Sequence, residues 1–231
     1  SLNGKTFLDI GSGSGLFSLA AYRLGATVRS FDYDQDSVNC TKYLKAQYAK
    51  DDSRWTVEQG SVLNKEFLSK FGKVDIVYSW GVLHHTGNMY LAFENVAELV
   101  NNNGTLFISI YNDQGGASRR WTWIKQRYNK SGVIGKQFLA LYTLFSQWTI
   151  TMIKDFIKTG NPLKTWFAYG KNNRGMSAYH DIVDWVGGYP FEVAKPEEVF
   201  DFFKCGRGFE LQRMKTCAGG LGCNEFVFYK R

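Results

Sequence analysis

Eleven residues near the start constrain the chain most: Phe7-Leu8-Asp9-Ile10-Gly11-Ser12-Gly13-Ser14-Gly15-Leu16-Phe17. A short apolar run carries an acidic residue near its end, three glycines follow at alternate positions, and an amphipathic helical pattern begins. This reads as strand, tight turn, helix. Glycine suits such a turn because its backbone reaches dihedrals that a Cβ forbids and approaches a ligand closely. At the first strand of a doubly wound sheet, a turn of this kind is a nucleotide-type binding site. The spacing departs from the dinucleotide fingerprint G-x-G-x-x-G. Gly11 and Gly13 fit it, but its sixth position is Leu16 and the third glycine is Gly15.

The following residues alternate between strand and helix patterns. Thr6–Ile10 reads as the first strand, 16–24 as a helix ended by Gly25, and Thr27–Asp32 as a second strand with an acid at its end. In doubly wound folds a carboxylate there bonds ribose hydroxyls; the competing reading is that Asp32 or Asp34 caps the next helix, 37–50. Trp55–Gln59 is a third strand, followed by Gly60-Ser61-Val62, and 74–79 a fourth. A turn holding His84 and His85 precedes a helix over 89–100 and a fifth strand over 104–111. The rhythm implies a parallel sheet with right-handed crossovers.

From 112 to about 194 no strand alternation is convincing. Residues 117–130 read as a basic, aromatic helix, 136–158 as a longer helix uncharged from Gln137 to Ile153, and 170–190 as a glycine-rich, aromatic loop region around Met176-Ser177-Ala178-Tyr179-His180-Asp181. The uncharged stretch is diluted by threonine, serine and glutamine and suits a cap or interfacial helix better than a membrane span. Pattern returns with a helix over 196–205 and strands over 209–216 and 225–229.

Charge is uneven. The net charge is +7, yet 113–174 holds eleven basic residues against Asp113 and Asp155, so the remainder is slightly acidic. Helical spacing of the aromatics in this segment, Trp121, Trp123, Tyr128, Trp148, Trp166 and Tyr169, suits a packed cap better than a base-stacking platform. Cys40, Cys205, Cys217 and Cys223 form no C-x-x-C pair, which suggests a reducing compartment and no metal site. With no secretory signal pattern at the start, a cytoplasmic location is expected.

An acidic residue two before a G-x-G-x-G turn resembles motif I of class I S-adenosylmethionine (SAM)-dependent methyltransferases, and Asp32 and Val82-Leu83-His84-His85 add to the resemblance. It is nearest the type 11/12 group that includes quinone-biosynthesis O-methyltransferases. The resemblance implies an α/β fold, a doubly wound seven-stranded Rossmann-like sheet of order 3-2-1-4-5-7-6 with a helical insertion after strand five. The core is then 1–112 with 195–231, and 113–194 is a helical lobe covering the acceptor. The chain opens almost directly on the first strand, where such enzymes usually carry a helix, so a trimmed N-terminus is expected. The resemblance implies SAM as cofactor, held by Asp9, Gly11, Ser12, Gly13 and Gly15, by Asp32 and Tyr33, by Gly60, Ser61 and Val62, and by Ser79, Trp80 and His84. Ser61 stands where the family often has an aspartate facing the adenine amine.

Methyl transfer to a hydroxyl gains from a base near its proton. The candidates are His85, His180 with Asp181 beside it to orient it, and Tyr111 at the end of the fifth strand. Each has a plainer reading as a loop or packing residue. The function expected is methyl transfer to a small-molecule hydroxyl, the basic lobe suiting an anionic or amphipathic acceptor. The alternatives are an RNA methyltransferase using that lobe and a non-catalytic SAM-binding protein. A peripheral membrane contact also stays open.

Overall fold

In the computed structural model, which describes residues 1–172 and 177–231, the chain runs β1 (Thr6–Ile10), α1 (Leu16–Arg23), β2 (Thr27–Asp32), α2 (Gln35–Tyr48), β3 (Trp55–Gln59), α3 (Lys65–Ser69), β4 (Val74–Trp80), a 3-10 turn (Leu83–His85), α4 (Met89–Leu99) and β5 (Val100–Tyr111). Four helices follow, α5 (Gly116–Lys130), α6 (Val133–Thr159), α7 (Lys164–Asn172) and α8 (Ala178–Gly187), and then α9 (Pro196–Lys204), β6 (Phe209–Lys215) and β7 (Cys223–Lys230). The chain divides into two compact units, a core of Ser1–Gln114 with Glu192–Arg231 and a lobe of Gly115–Phe191.

The core is one seven-stranded sheet in the order β3-β2-β1-β4-β5-β7-β6. β1 to β5 pair in parallel, and β7 runs antiparallel between β5 and β6. Parallel strands covered by helices are apolar throughout, and Leu8, Ile10, Val77, Ile108 and Ile110 are buried accordingly. On β7 every second residue faces inward, so Phe226 and Phe228 are buried, and Phe228 packs against Phe203 of α9 at 4.9 Å between ring centroids.

The joins after strands are set by short polar side chains. Asp34, Asn64 and Asn88 each accept a backbone N–H in the first turn of α2, α3 and α4, which satisfies donors that a helix start leaves open. α9 begins with Pro196, and the carboxylate of Glu198 accepts the N–H of Lys195 at 2.8 Å. The chain leaves and re-enters the core through a paired neck, in which Ala194 N–H donates to the Tyr111 carbonyl at 3.0 Å and Asp113 N–H donates to the Ala194 carbonyl at 3.2 Å.

In the lobe, the expected loop region over 170–190 is corrected. α7 reaches Asn172, and α8 occupies Ala178–Gly187; Met176 lies outside the described residues. The signal was present: Ser177 accepts the His180 N–H as an N-cap, and Ala178, Ile182 and Val186 are buried at a four-residue spacing. The nearby glycines and aromatics obscured it. Trp148 of α6 meets Trp166 and Tyr169 of α7 at 5.0 and 5.5 Å, and Trp121 of α5 meets Trp185 of α8 at 5.4 Å. Most of these rings serve as packing between helices, whereas Trp123 is exposed. Among the described residues no helix is long and apolar enough to cross a membrane.

Candidate functional site

The site is built where β1 and β2 end. The N–H groups of Gly11 and Ser12 both donate to the Phe31 carbonyl, at 2.9 and 3.1 Å. This folds the turn over the end of β2, and Gly13 N–H reaches Oδ2 of Asp32 at 2.9 Å. Gly11, Gly13 and Gly15 all have positive φ, at 76°, 54° and 78°, which L side chains rarely adopt. The three glycines differ in their surroundings. A Cβ on Gly11 would fall 2.3 Å from a Val82 methyl, and one on Gly15 2.9 Å from a Thr41 methyl. A Cβ on Gly13 would meet nothing within 4 Å. Packing therefore dictates two glycines, while the third keeps an open cradle beside the Asp32 carboxylate.

Thr41, in the middle of α2, locks this turn and has no part in the sequence expectations. Its hydroxyl donates to the Gly13 carbonyl at 2.9 Å and lies 3.1 Å from the Ser12 hydroxyl. A buried threonine in an otherwise polar-faced helix was the available signal. Asp32 also accepts the Asp34 N–H through Oδ1 at 3.0 Å, whereas capping of α2 falls to Asp34. Asp34 is thus the helix cap, while Asp32 closes on the glycine turn.

Asp9 is buried at the end of β1. Its carboxylate accepts the Ser18 hydroxyl; Ser18 lies 2.7 Å from the Ser30 hydroxyl, which accepts the Trp55 indole N–H at 2.8 Å. Burial pushes the Asp9 carboxyl up to about 6, against the lowering effect of Ser18. Asp9 thus braces α1 against β1 from within. Ser79 is likewise buried, its hydroxyl donating to the Ile10 carbonyl at 3.1 Å. Trp80 stands partly exposed beyond it.

Past the ends of β2 and β3 lies an open pocket of about 510 Å³ lined by Tyr33, Asp34, Gln35, Gln59, Gly60 and Ser61. Tyr33 is exposed, while Val62 is buried in the core. The Ser61 hydroxyl accepts the Leu63 N–H at 3.2 Å, and a Cβ on Gly60 would strike the Phe67 ring at 2.0 Å.

After β4, His84 is fully buried. Its Nδ1 accepts the Tyr111 N–H at 3.3 Å, its ring lies 4.0 Å from the Tyr111 ring, and its carbonyl accepts the Glu192 N–H at 2.9 Å. Glu192 Oε1 in turn accepts the Met89 N–H that opens α4, at 3.1 Å. His84 therefore ties together the ends of β4 and β5 and the returning chain. His85 is half-buried, with its ring edge-on to Tyr111 at 5.4 Å. Burial raises the Tyr111 phenol to about 12. His180 belongs to the lobe and is exposed. The expected pairing with Asp181 is corrected: His180 Nδ1 lies 2.6 Å from the Ser177 hydroxyl, and Asp181 instead accepts the Tyr169 hydroxyl. The residues His85 and Tyr111 are thus brought together on the core, and no cluster able to hold a metal occurs among the described residues.

This sheet order, with a glycine turn after β1 and a carboxylate closing β2, defines the class I SAM-dependent methyltransferases. Residues 2–146 match the methyltransferase-domain family, and the chain belongs to it. A ubiquinone biosynthesis O-methyltransferase of Brucella melitensis is 33% identical over 111 residues, which is 48% of this chain and 43% of that protein. The chain thus spans less than half the length of such curated relatives. Among solved structures, magnesium protoporphyrin IX methyltransferase from Synechocystis with SAH bound aligns over 100% of this chain and 76% of its own, at TM-score 0.56 and 15% identity. An O-methyltransferase family protein from Burkholderia thailandensis aligns over 98% and 51%, at TM-score 0.58 and 11% identity. At such identities these two structures speak for the fold alone.

The core fits SAM. The cradle at Gly13 leaves room for a ligand against backbone, the Asp32 carboxylate suits ribose hydroxyls, and the pocket from Tyr33 to Ser61 continues where the base would go.

Proposed function

We propose that the chain moves a methyl group from SAM to a hydroxyl oxygen of a small anionic or amphipathic acceptor. The observation that carries this reading is the open Gly13 cradle beside the Asp32 carboxylate. When bound, SAM supplies an electrophilic methyl carbon with its own leaving group, so the protein has mainly to position and desolvate. Gly11, Gly13 and Gly15 shape the turn that receives it, Asp32 holds the ribose, and Gly60, Ser61 and Tyr33 border the base. His85 takes the acceptor proton on a ring nitrogen, and His180 is the second candidate base. Tyr111 holds its proton at neutral pH as any tyrosine does, burial raising it further to about 12, so it orients the acceptor as a hydrogen-bond donor. The basic composition of the lobe favours an anionic group on the acceptor. Four free cysteines fit a cytoplasmic setting.

The test is incubation with methyl-labelled SAM and fractionated extracts. Label in acidic or amphipathic small molecules is the expected result. Label in RNA favours the RNA-directed alternative, and binding of NAD without SAM overturns the cofactor reading.

A further inference from the structure

Helix α6 carries its apolar residues outward. Ile134, Phe138, Leu141, Phe145, Ile153 and Phe156 recur at helical spacing and are between 46% and 85% exposed. With Thr149 between Phe145 and Ile153, they form one stripe about 33 Å long at 1.5 Å per residue. Ala140 and Thr143 occupy the opposite, buried face, and Trp148 is buried along one edge of the stripe. A stripe of this length on a soluble surface marks an interaction site.

Charge identifies the partner. Lys136 stands near one end of α6, and Lys154 and Lys158 near the other. The helix has one acid, Asp155, and its two carboxylate oxygens accept the Thr165 N–H and hydroxyl at 2.8 and 2.9 Å, so it is engaged with α7. The whole lobe has eleven basic residues against three acidic ones. An apolar face with lysine at both ends is the pattern of a helix lying in the headgroup region of a bilayer, where long lysine stems let the charge reach the surface. A second copy of the chain is disfavoured, because a symmetric contact through this stripe would bring two strongly basic lobes together.

We propose that the exposed face of α6 docks the protein on an anionic phospholipid surface. The inference stands apart from the assigned chemistry, since its readout is lipid binding rather than turnover.

The experiment is co-flotation of the full chain with vesicles of phosphatidylcholine alone and of phosphatidylcholine with phosphatidylglycerol. Binding is expected on the second only and weakens with salt. The double variant Phe138→Glu with Phe145→Glu should lose binding by about tenfold or more. Lys154→Gln and Lys158→Gln should each weaken it by roughly fivefold. Circular dichroism and melting establish that the variants fold, and Phe156→Ser offers a milder change on the same stripe. Equal absence of binding to both vesicles overturns the proposal, as does binding that these variants leave unchanged. A dimer in sedimentation that the double phenylalanine variant turns into a monomer assigns the stripe to a second copy instead.

Discussion

The imidazole of His84 lies 4.0 Å from the Tyr111 ring and accepts the Tyr111 backbone N–H on Nδ1. Accepting on Nδ1 places the proton on Nε2 in the neutral ring. The pair fixes the end of β5 relative to the turn after β4, while His85, the next residue, remains half-buried. His84→Ala should therefore cost about 2–4 kcal/mol through the cavity and the lost bond, whereas His85→Ala should cost less than about 1 kcal/mol. Denaturant unfolding of both variants distinguishes them, and equal losses would remove the division of labour.

Gly13 and Asp32 are predicted to act on cofactor affinity by different routes. Gly13→Val has space in the empty cradle but a positive φ of 54° to adopt. It should fold with a penalty of about 1–2 kcal/mol and abolish SAM binding by filling the cradle. Asp32→Ala should weaken SAM by roughly 1–3 kcal/mol for a lost charged hydrogen bond. Calorimetric titration measures both; unchanged SAM affinity in Gly13→Val would show that the cradle is not the site.

Base assignment has its own test. Once an acceptor is known, turnover against pH is measured for His85→Ala and His180→Ala. The expected result is a fall of about 10²-fold or more in the first and a smaller effect in the second, which has Ser177 as its ring partner. Full activity in both takes histidine out of the mechanism.

The core was legible because its rules are local. A short apolar run, a glycine turn and an acidic strand end mark β1 and β2 within thirty-two residues. The roles inside the turn were not legible, because they depend on partners distant in sequence. Gly11 answers to Val82, Gly15 to Thr41, and Tyr111 to His84. The orientation of Asp9 is similar: its spacing in the motif says acid, but only packing shows that it faces Ser18 and Ser30. In the lobe, glycine and aromatic content hid α8, although the Ser177 cap and the four-residue apolar spacing were there to read.

Asp9 gives a pH dependence with a definite sign. Its carboxyl is raised in the folded state from 3.8 to about 6, so the folded form holds the proton more tightly than the unfolded chain. The resulting stabilisation is greatest below 3.8, is lost as pH rises to 6, and leaves a penalty on the order of 3 kcal/mol at pH 7 relative to acid. Asp9→Asn can still accept the Ser18 hydroxyl and carries no charge. It should be more stable than the parent at pH 7, with the difference shrinking toward pH 4. Urea melts at several pH values measure this, and a pH-independent difference contradicts it.

Lys125 gives the opposite case in the lobe. Its ammonium is buried, donates to the Trp185 carbonyl, and stands 3.8 Å from the Trp185 ring and 4.8 Å from that of Phe191. The carbonyl and ring faces favour the cation, but burial dominates and lowers the amine from 10.5 to about 7. The folded lobe thus binds the proton less tightly than the unfolded chain. The penalty is full below pH 7 and fades as pH rises toward 10.5. Lys125→Met keeps the length of the side chain and removes the charge. It should stabilise the protein by about 1–3 kcal/mol at pH 7 and confer little advantage near pH 10. Thermal melts across that range test this, and destabilisation at pH 7 would mean that the carbonyl and ring contacts outweigh the cost of burying the charge.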